Sequence, residues 1–339
     1  GFEESVRAEM QRSKIPGLTI GFVKDDYVWV KAFGVADLEN GTPMTEVGAY
    51  RFASVQKSMT AAAVLQLVEQ KKIDLNAEIQ TYVPYFPRKP YPITIRQLLG
   101  HLGGIPHYVD RAKEQHFKEH KTVRETIAIF ENFPLVAEPG TKWVYSTYGY
   151  DLLGAAIENV SKQSYGDYMR DHVWRPAGMT ATMMDDALLI IPHRVRGYQL
   201  VDGEVRNSEF VDISSRFAGG GTRGTVPDLL RFMKALNDGK LISEKSLAVM
   251  YMPMKTRSGE RTGFPGTEGY AMGWNVTKQK LGLVYMNDGG QQETRTFIIN
   301  VPSRHFAIAF AMNLESDSYG PIFLDLYERI MGEPFVIAK

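Results

Sequence analysis

Apolar residues follow two spacings along this chain. Runs that read as strands lie near the start, at Leu18–Val23 and Tyr27–Phe33, separated by the polar turn Lys24-Asp25-Asp26. Others gather near the end, at Tyr270–Val276, Gly282–Met286, Thr294–Val301 and His305–Ala311. Helical spacing fills most of the interval, over Thr94–His101, Val123–Asn132, Tyr150–Val160, Tyr165–Val173, Pro227–Leu236 and Ser243–Tyr251. A short amphipathic helix is predicted over Phe2–Ser13, closed by Ile15-Pro16-Gly17, and a last one over Pro321–Met331. The stretch Ser54–Gln70 stands apart. Its centre, Ala61 to Val68, is apolar nearly all round, which predicts a deeply buried helix.

Strands at both ends around a helical middle predict an α+β fold, with one sheet built from distant segments. The expectation is a single domain over 1–339. An α/β lobe comes from 1–60 plus 215–339, and an inserted helical lobe comes from 61–214. Ligand sites favour the seam between such lobes.

Composition narrows the classes. A hydrophobic fraction of 44% and a charged fraction of 23% suit a chain that buries a core without disulfides or metals. Lys plus Arg equals Asp plus Glu at 39 each, so no net field selects nucleic acid or an anionic membrane. With no cysteine there is no thiol nucleophile and no cysteine zinc site. That absence suits an exported or periplasmic protein without assigning a compartment. No apolar run approaches the roughly 20 residues that span a bilayer. The chain starts Gly1-Phe2-Glu3-Glu4, so any targeting peptide is expected to lie outside it. Oligomeric state is left open.

Chemistry concentrates at Phe52-Ala53-Ser54-Val55-Gln56-Lys57. Ser54 begins the buried helix, and Lys57, three residues on, shares its face one turn away. A serine needs an adjacent base, and a desolvated lysine can serve as one. The plain alternative is an N-cap serine followed by a helical lysine, and Ser-x-x-Lys alone does not decide between them. Tyr145-Ser146-Thr147 follows the Pro139-Gly140 turn, so Tyr145 sits on a loop, where a nearby cation would make its phenol a proton carrier. Asn287-Asp288-Gly289-Gly290 ends a strand-like run. It reads as an edge that a substrate backbone can approach, or as an Asp-Gly hairpin turn.

Taken together and in order, these elements resemble the penicillin-recognising serine hydrolases: class C β-lactamases, low-molecular-weight penicillin-binding proteins and related esterases. Gly104-Ile105-Pro106-His107-Tyr108, Tyr145 to Tyr150 and Ala218-Gly219-Gly220-Gly221 are most similar to the branch of mitochondrial serine β-lactamase-like proteins and their bacterial relatives. The likeness runs from about Ile15 to Asn313. It implies a β-lactamase/transpeptidase-like fold, an antiparallel sheet covered by helices with the site at the seam. Ser54 would attack a carbonyl, and Lys57 and Tyr145 would pass its proton to the leaving group and then activate water. The N–H groups of Ser54 and Gly290 would form the oxyanion hole. Which of Lys57 and Tyr145 is the formal base stays open. No cofactor and no metal is implied.

Two departures matter. Thr147 stands where many relatives have Asn, losing an amide able to hold a substrate carbonyl. Asn287 and Asp288 stand where relatives carry Lys-Thr or His-Thr, which removes a cation and adds a charge that repels a substrate carboxylate. The first reads as a trait of the mitochondrial-type branch; from the second, the expectation is a hydrolase of small esters or short peptides, the peptides bearing a positive or neutral group there, with weak or no β-lactamase activity. The alternative is a penicillin-binding or sensing module that acylates without turnover, or a degenerate scaffold.

Other motifs read as structural. His116-Phe117-Lys118-Glu119-His120 matches a metallopeptidase pattern, but the charged tract Arg111–Arg124 is polar on every side, which predicts a solvated helix. Gly219 to Gly224 fits G-x-G-x-x-G without a preceding strand. No Gly-x-Ser-x-Gly elbow surrounds Ser54 or Ser146. His101, His107 and Trp143 read as loop supports, and Asp151 and Glu158 as solvated or capping residues of the helix that follows.

Overall fold

A computed structural model describes residues 1–336. Eight strands form one antiparallel sheet: β1 (Gly17–Lys24), β2 (Tyr27–Asp37), β3 (Thr42–Pro43), β4 (Gly269–Tyr270), β5 (Asn275–Gln279), β6 (Gly282–Gln291), β7 (Thr294–Val301) and β8 (Phe306–Met312). Their spatial order is β3-β2-β1-β8-β7-β6-β5-β4, so the first and last strands of the chain meet at the centre. There Ile20 faces Phe310 across β1 and β8, and Phe310 faces Phe297 across β8 and β7.

Side chains on a strand alternate between faces, and β8 uses the two faces differently. Phe306, Ile308, Phe310 and Met312 join a cluster with Val6 and Met10 of α1 (Phe2–Arg12) and with Ile322, Leu326 and Tyr327 of the last helix, Gly320–Met331. Each such side chain contributes about 1.5–3 kcal/mol by leaving water. The intervening Ala307, Ala309 and Ala311 belong to the larger core on the other face. Small residues there let the helix Val226–Asn237 lie close. A Cβ added at Gly21 of β1 would come within 3.1 Å of Leu230.

That larger core surrounds α2 (Gln56–Glu69), buried on nearly every side from Gln56 to Leu67, as its sequence predicts. Behind it lie the helices Ile95–Leu99, Val123–Phe130, α3 (Thr147–Ser161) and Tyr165–Met169. A small ribbon of Tyr50–Arg51, Thr222–Gly224 and Met183–Met184 ties the approach to α2 to the glycine loop at 219–221.

The structure departs from the sequence reading in three places. The run Tyr270–Val276 is split into β4 and β5. Gly273, at φ +81°, turns the chain so tightly against α2 that a Cβ would sit 2.9 Å from the Lys57 carbonyl oxygen. The run Gly282–Met286 extends to Gln291, because Asn287 to Gln291 pair with Thr294 to Ile298. The reversal then falls at Gln292-Glu293, not at Asp288-Gly289. Finally, Arg111–Arg124 is not one solvated helix. Helix is limited to Arg111–Glu114 before the next begins at Val123, since Glu114 turns inward to accept from the Tyr148 hydroxyl. His116 and Lys118 bind Glu209 across a loop, so the two histidines at 116 and 120 share no helix face.

Candidate active site

Ser54 lies in a single 3-10 turn, Ala53–Val55, that runs directly into α2. Ala53 just before it has φ +48°, a left-handed conformation that costs a non-glycine residue about 1–2 kcal/mol. Its neighbours hold it there. The Phe52 N–H donates to Thr222 O at 2.9 Å, and Gly289 lies so close that a Cβ would stand 2.5 Å from Phe52 O and 2.9 Å from the Ser54 nitrogen. Gly289 is thus a close-approach glycine, and strand β6 runs directly alongside the turn.

Two proton-bearing groups converge on Ser54. Lys57 Nζ lies 3.0 Å from Ser54 Oγ, and the Tyr145 hydroxyl lies 2.8 Å from the same oxygen. The helix places Lys57 one turn along from Ser54. Tyr145 is positioned by the start of α3, where Ser146 caps the helix by accepting from the Gly149 N–H at 3.0 Å and donates to Pro106 O at 2.8 Å. Lys57 also reaches Thr147 Oγ1 at 3.2 Å and Gly219 O at 2.7 Å, and it stands 5.0 Å from the centre of the Tyr145 ring. Thr147 therefore braces the lysine. The glycine loop supplies it a carbonyl.

Burial lowers the Lys57 ammonium to about 7, while the carboxyls of Asp151 and Asp288 pull it back up and Arg216 pushes it down. A lysine in that range is a competent base near neutral pH. The Tyr145 phenol is driven the other way, well above its ordinary value, chiefly by burial, with its bond to Ser54 opposing. Tyr145 is thus a protonated phenol at neutral pH.

Asp151 overturns the expectation of a solvated residue: it is fully buried. Its Oδ1 accepts from the Ala218 N–H at 3.3 Å, and its Oδ2 has no partner among the described residues. Burial raises its carboxyl, with Lys57 opposing, so the two groups titrate over the same range as a linked pair. Glu158 does cap, accepting from the Tyr165 N–H at 2.7 Å. His101 and His107 are loop supports, as read. The ring Nδ1 of His101 accepts from the Ser146 N–H and that of His107 from the Thr147 N–H, each at 3.1 Å. Burial holds both rings neutral, His107 down to about 3. Tyr145, Trp143, Phe264 and Tyr270 form an aromatic wall beside the serine, with Trp143 and Phe264 ring centres 4.9 Å apart.

The β6 residues divide into three kinds. Asn287 points inward, and its Nδ2 donates to Ser54 O at 3.2 Å, Ser58 Oγ at 3.0 Å and Gly273 O at 2.9 Å. Asp288 stands half-exposed, 3.5 Å from Arg295, which also pairs with Asp317. Gly290 lines a cavity of about 300 Å³ together with Ser54, Thr147, His107 and Arg216. Sequence reasoning misread Asp151 as solvated or capping and passed over Arg216. For Asp151 a signal was available, since its neighbours from Leu152 to Ile157 are apolar on all sides.

This arrangement, a serine flanked by lysine and tyrosine at the edge of an antiparallel sheet, agrees with the family comparison. Residues 2–322 match the Beta-lactamase family model, and the chain belongs to that family, within the penicillin-recognising serine hydrolases. It is 30% identical over 364 residues to the human serine beta-lactamase-like protein LACTB, mitochondrial, across 82% of this chain and 66% of that protein, just under two thirds of its length. Among solved structures it is similar to the octameric penicillin-binding protein homologue from Pyrococcus abyssi, at 27% identity and a TM-score of 0.84, covering 98% of this chain and 77% of that one. D-amino acid amidase from Ochrobactrum anthropi SV3 shares the fold, with a TM-score of 0.85 at 22% identity over 97% and 99% of the two chains.

Proposed function

We propose that this chain hydrolyses small esters or short peptides through an acyl-enzyme on Ser54. The observation that carries the reading is the convergence of Lys57 Nζ and the Tyr145 hydroxyl on Ser54 Oγ, at 3.0 and 2.8 Å. Neutral Lys57 accepts the Ser54 proton as Oγ bonds to the substrate carbonyl carbon. The N–H groups of Ser54 and Gly290 hold the carbonyl oxygen as it gains charge. Tyr145, protonated at neutral pH, gives its proton to the leaving oxygen or nitrogen as that bond breaks, and the proton on Lys57 restores the phenol. In deacylation water takes the leaving group's place, its proton passes to the same pair, and Ser54 Oγ recovers a proton as the acid leaves.

Asn287 and Asp288 support weak or absent β-lactamase activity. The inward amide is committed to three acceptors, and no cation stands where relatives carry Lys or His. The charge on Asp288 is partly answered by Arg295, so its effect on a nearby carboxylate is smaller than the sequence alone suggests. Ser54, Lys57, Gly219 and Gly290 come from the proposed α/β lobe, and Tyr145 and Thr147 from the proposed helical lobe, which supports reading the site as lying at their seam.

A pre-steady-state time course with p-nitrophenyl butyrate, run beside Ser54→Ala, tests the reading. Linear, Ser54-dependent release well beyond one equivalent supports it. A one-equivalent burst that then stops would make the chain an acylated receptor, and full activity in Ser54→Ala would remove the assignment.

A further inference from the structure

The cavity beside Ser54 holds a buried cation that no carboxylate answers. Arg216 is 5% exposed, yet among the described residues no Asp or Glu lies within ion-pair distance of its guanidinium. Its partners are neutral oxygens: Nη1 donates to Gln291 Oε1 at 2.9 Å and to Gln292 Oε1 at 3.1 Å, and Nη2 donates to Gln115 O at 2.8 Å. Its Nε is buried without a partner among the described residues. Arginine keeps its proton even when buried, and a buried charge without a counter-charge is costly unless something offsets it. The other charged groups lining this cavity are already engaged. Arg295 is paired with Asp288 and Asp317, and Glu315 Oε1 accepts from Ser208 Oγ at 2.6 Å and from the Glu293 N–H at 3.0 Å.

Position gives Arg216 a role at the site. Gln291, one of its partners, follows Gly290 on β6, and its Nε2 donates to Gly220 O at 3.0 Å. The Arg216 carbonyl in turn accepts from the N–H groups of Gly219 and Gly220, at 2.9 and 2.7 Å, and Gly219 O is an acceptor for Lys57. A substrate carbonyl lodged between Ser54 and Gly290 therefore has the guanidinium within the same cavity. The two glutamine amide oxygens both accept from Nη1, where a substrate carboxylate oxygen would take their place with a charge-assisted bond. Both belong to side chains that can swing aside.

Building on the proposed hydrolase reading, we infer that Arg216 is a specificity-determining residue that selects substrates whose acyl portion carries a carboxylate. The preferred substrate is an anionic acyl ester or an acidic peptide, with the anion replacing the Gln291 and Gln292 oxygens on the guanidinium. This selection is separate from Asp288, which does not line the cavity.

The test compares two esters of p-nitrophenol that differ by one charge, the glutaryl and the pentanoyl, with spontaneous hydrolysis subtracted. The expected result is a wild-type kcat/KM about ten- to a hundredfold higher for the glutaryl ester, the scale of a hydrogen bond to a charged group. Arg216→Gln should lose most of that preference. Gln292→Glu supplies the guanidinium with an internal carboxylate and should erase the preference while keeping the cation in place. This second variant covers the case in which Arg216→Gln does not fold, as judged by circular dichroism. Equal wild-type turnover of the two esters, or a preference that survives both substitutions, overturns the inference. If neither ester is turned over in a Ser54-dependent way, it is the hydrolase reading that has failed.

Discussion

Three residues before Ser54 stands Arg51, and three after it stands Lys57. Both are buried cations, and their surroundings differ in kind. Arg51 belongs to a paired network. Its Nε lies 2.8 Å from Asp185 and 3.3 Å from Glu293, while Arg223 meets the same two carboxylates at 2.5 and 2.6 Å and Arg194 adds a contact to Asp185 at 3.3 Å. The several cations around Asp185 hold its carboxyl below the ordinary range, although burial works the other way. Among the described residues Lys57 has no carboxylate within ion-pair distance, and it rests on a hydroxyl pair and a carbonyl. The paired network fixes the approach of the chain to the serine. The unpaired lysine is left free to change its charge. Rigidity and reactivity are thus assigned to opposite sides of one turn, and what separates them is whether the buried charge has been given a partner.

The sharpest way to break this contrast is at the reactive side. Ser54→Ala should lower ester turnover by about 10³-fold or more, with melting temperature little changed, measured by steady-state kinetics and thermal denaturation. On the rigid side the cost should appear as stability. Asp185→Ala leaves Arg51 and Arg223 short of a shared counter-charge and should destabilise the fold by about 3–5 kcal/mol in urea titration. The conservative Ser54 variant should show nothing comparable.

A pH profile sharpens the comparison further. Lys57 must be neutral to accept the Ser54 proton, so kcat/KM should fall as pH drops through about 7 and level off above it. Asp151 favours the ammonium form, so Asp151→Asn should move that limb to lower pH. A limb that stays in place would mean that Asp151 does not set the lysine's charge. The smallest effect is expected at Asn287→Ala, which removes an amide donating to three buried acceptors, at about 1–3 kcal/mol of stability by denaturant unfolding.

The reactive half of this contrast was legible in the sequence, and its parts are local. Helical spacing sets Lys57 beside Ser54 and the helix starting at Ser146-Thr147 sets Tyr145, but it is the order of these short motifs together, not any one of them, that marks a site. The buried helix around Ala61 to Val68 declared itself through one segment's own pattern. The rest depends on neighbours far along the chain. Asn287 reads equally as a strand edge or a hairpin turn because its inward direction follows from pairing β6 with β7, which no window of a few residues contains. Arg216 read as nothing in particular. Its meaning lies in the carboxylate that is missing around it, and proximity of that kind exists only after residues 115, 216 and 291 have been folded together. Asp151 is the intermediate case, readable from its apolar flanks but not from its charge.

The Asn287 brace also has a consequence in time. Ser54 is tied through this amide to a residue 233 positions further on, and Gly273 closes against the same helix start from nearly as far. Contacts between such distant segments form late, because a long loop must be closed before they repay its entropy. During synthesis the segment with Ser54 and Lys57 emerges first, long before the strands that set its shape. A half-made chain therefore carries the reactive residues without the geometry that makes them reactive. On the proposed function, the nascent chain would be silent and acquire its chemistry only when its last third has joined the sheet.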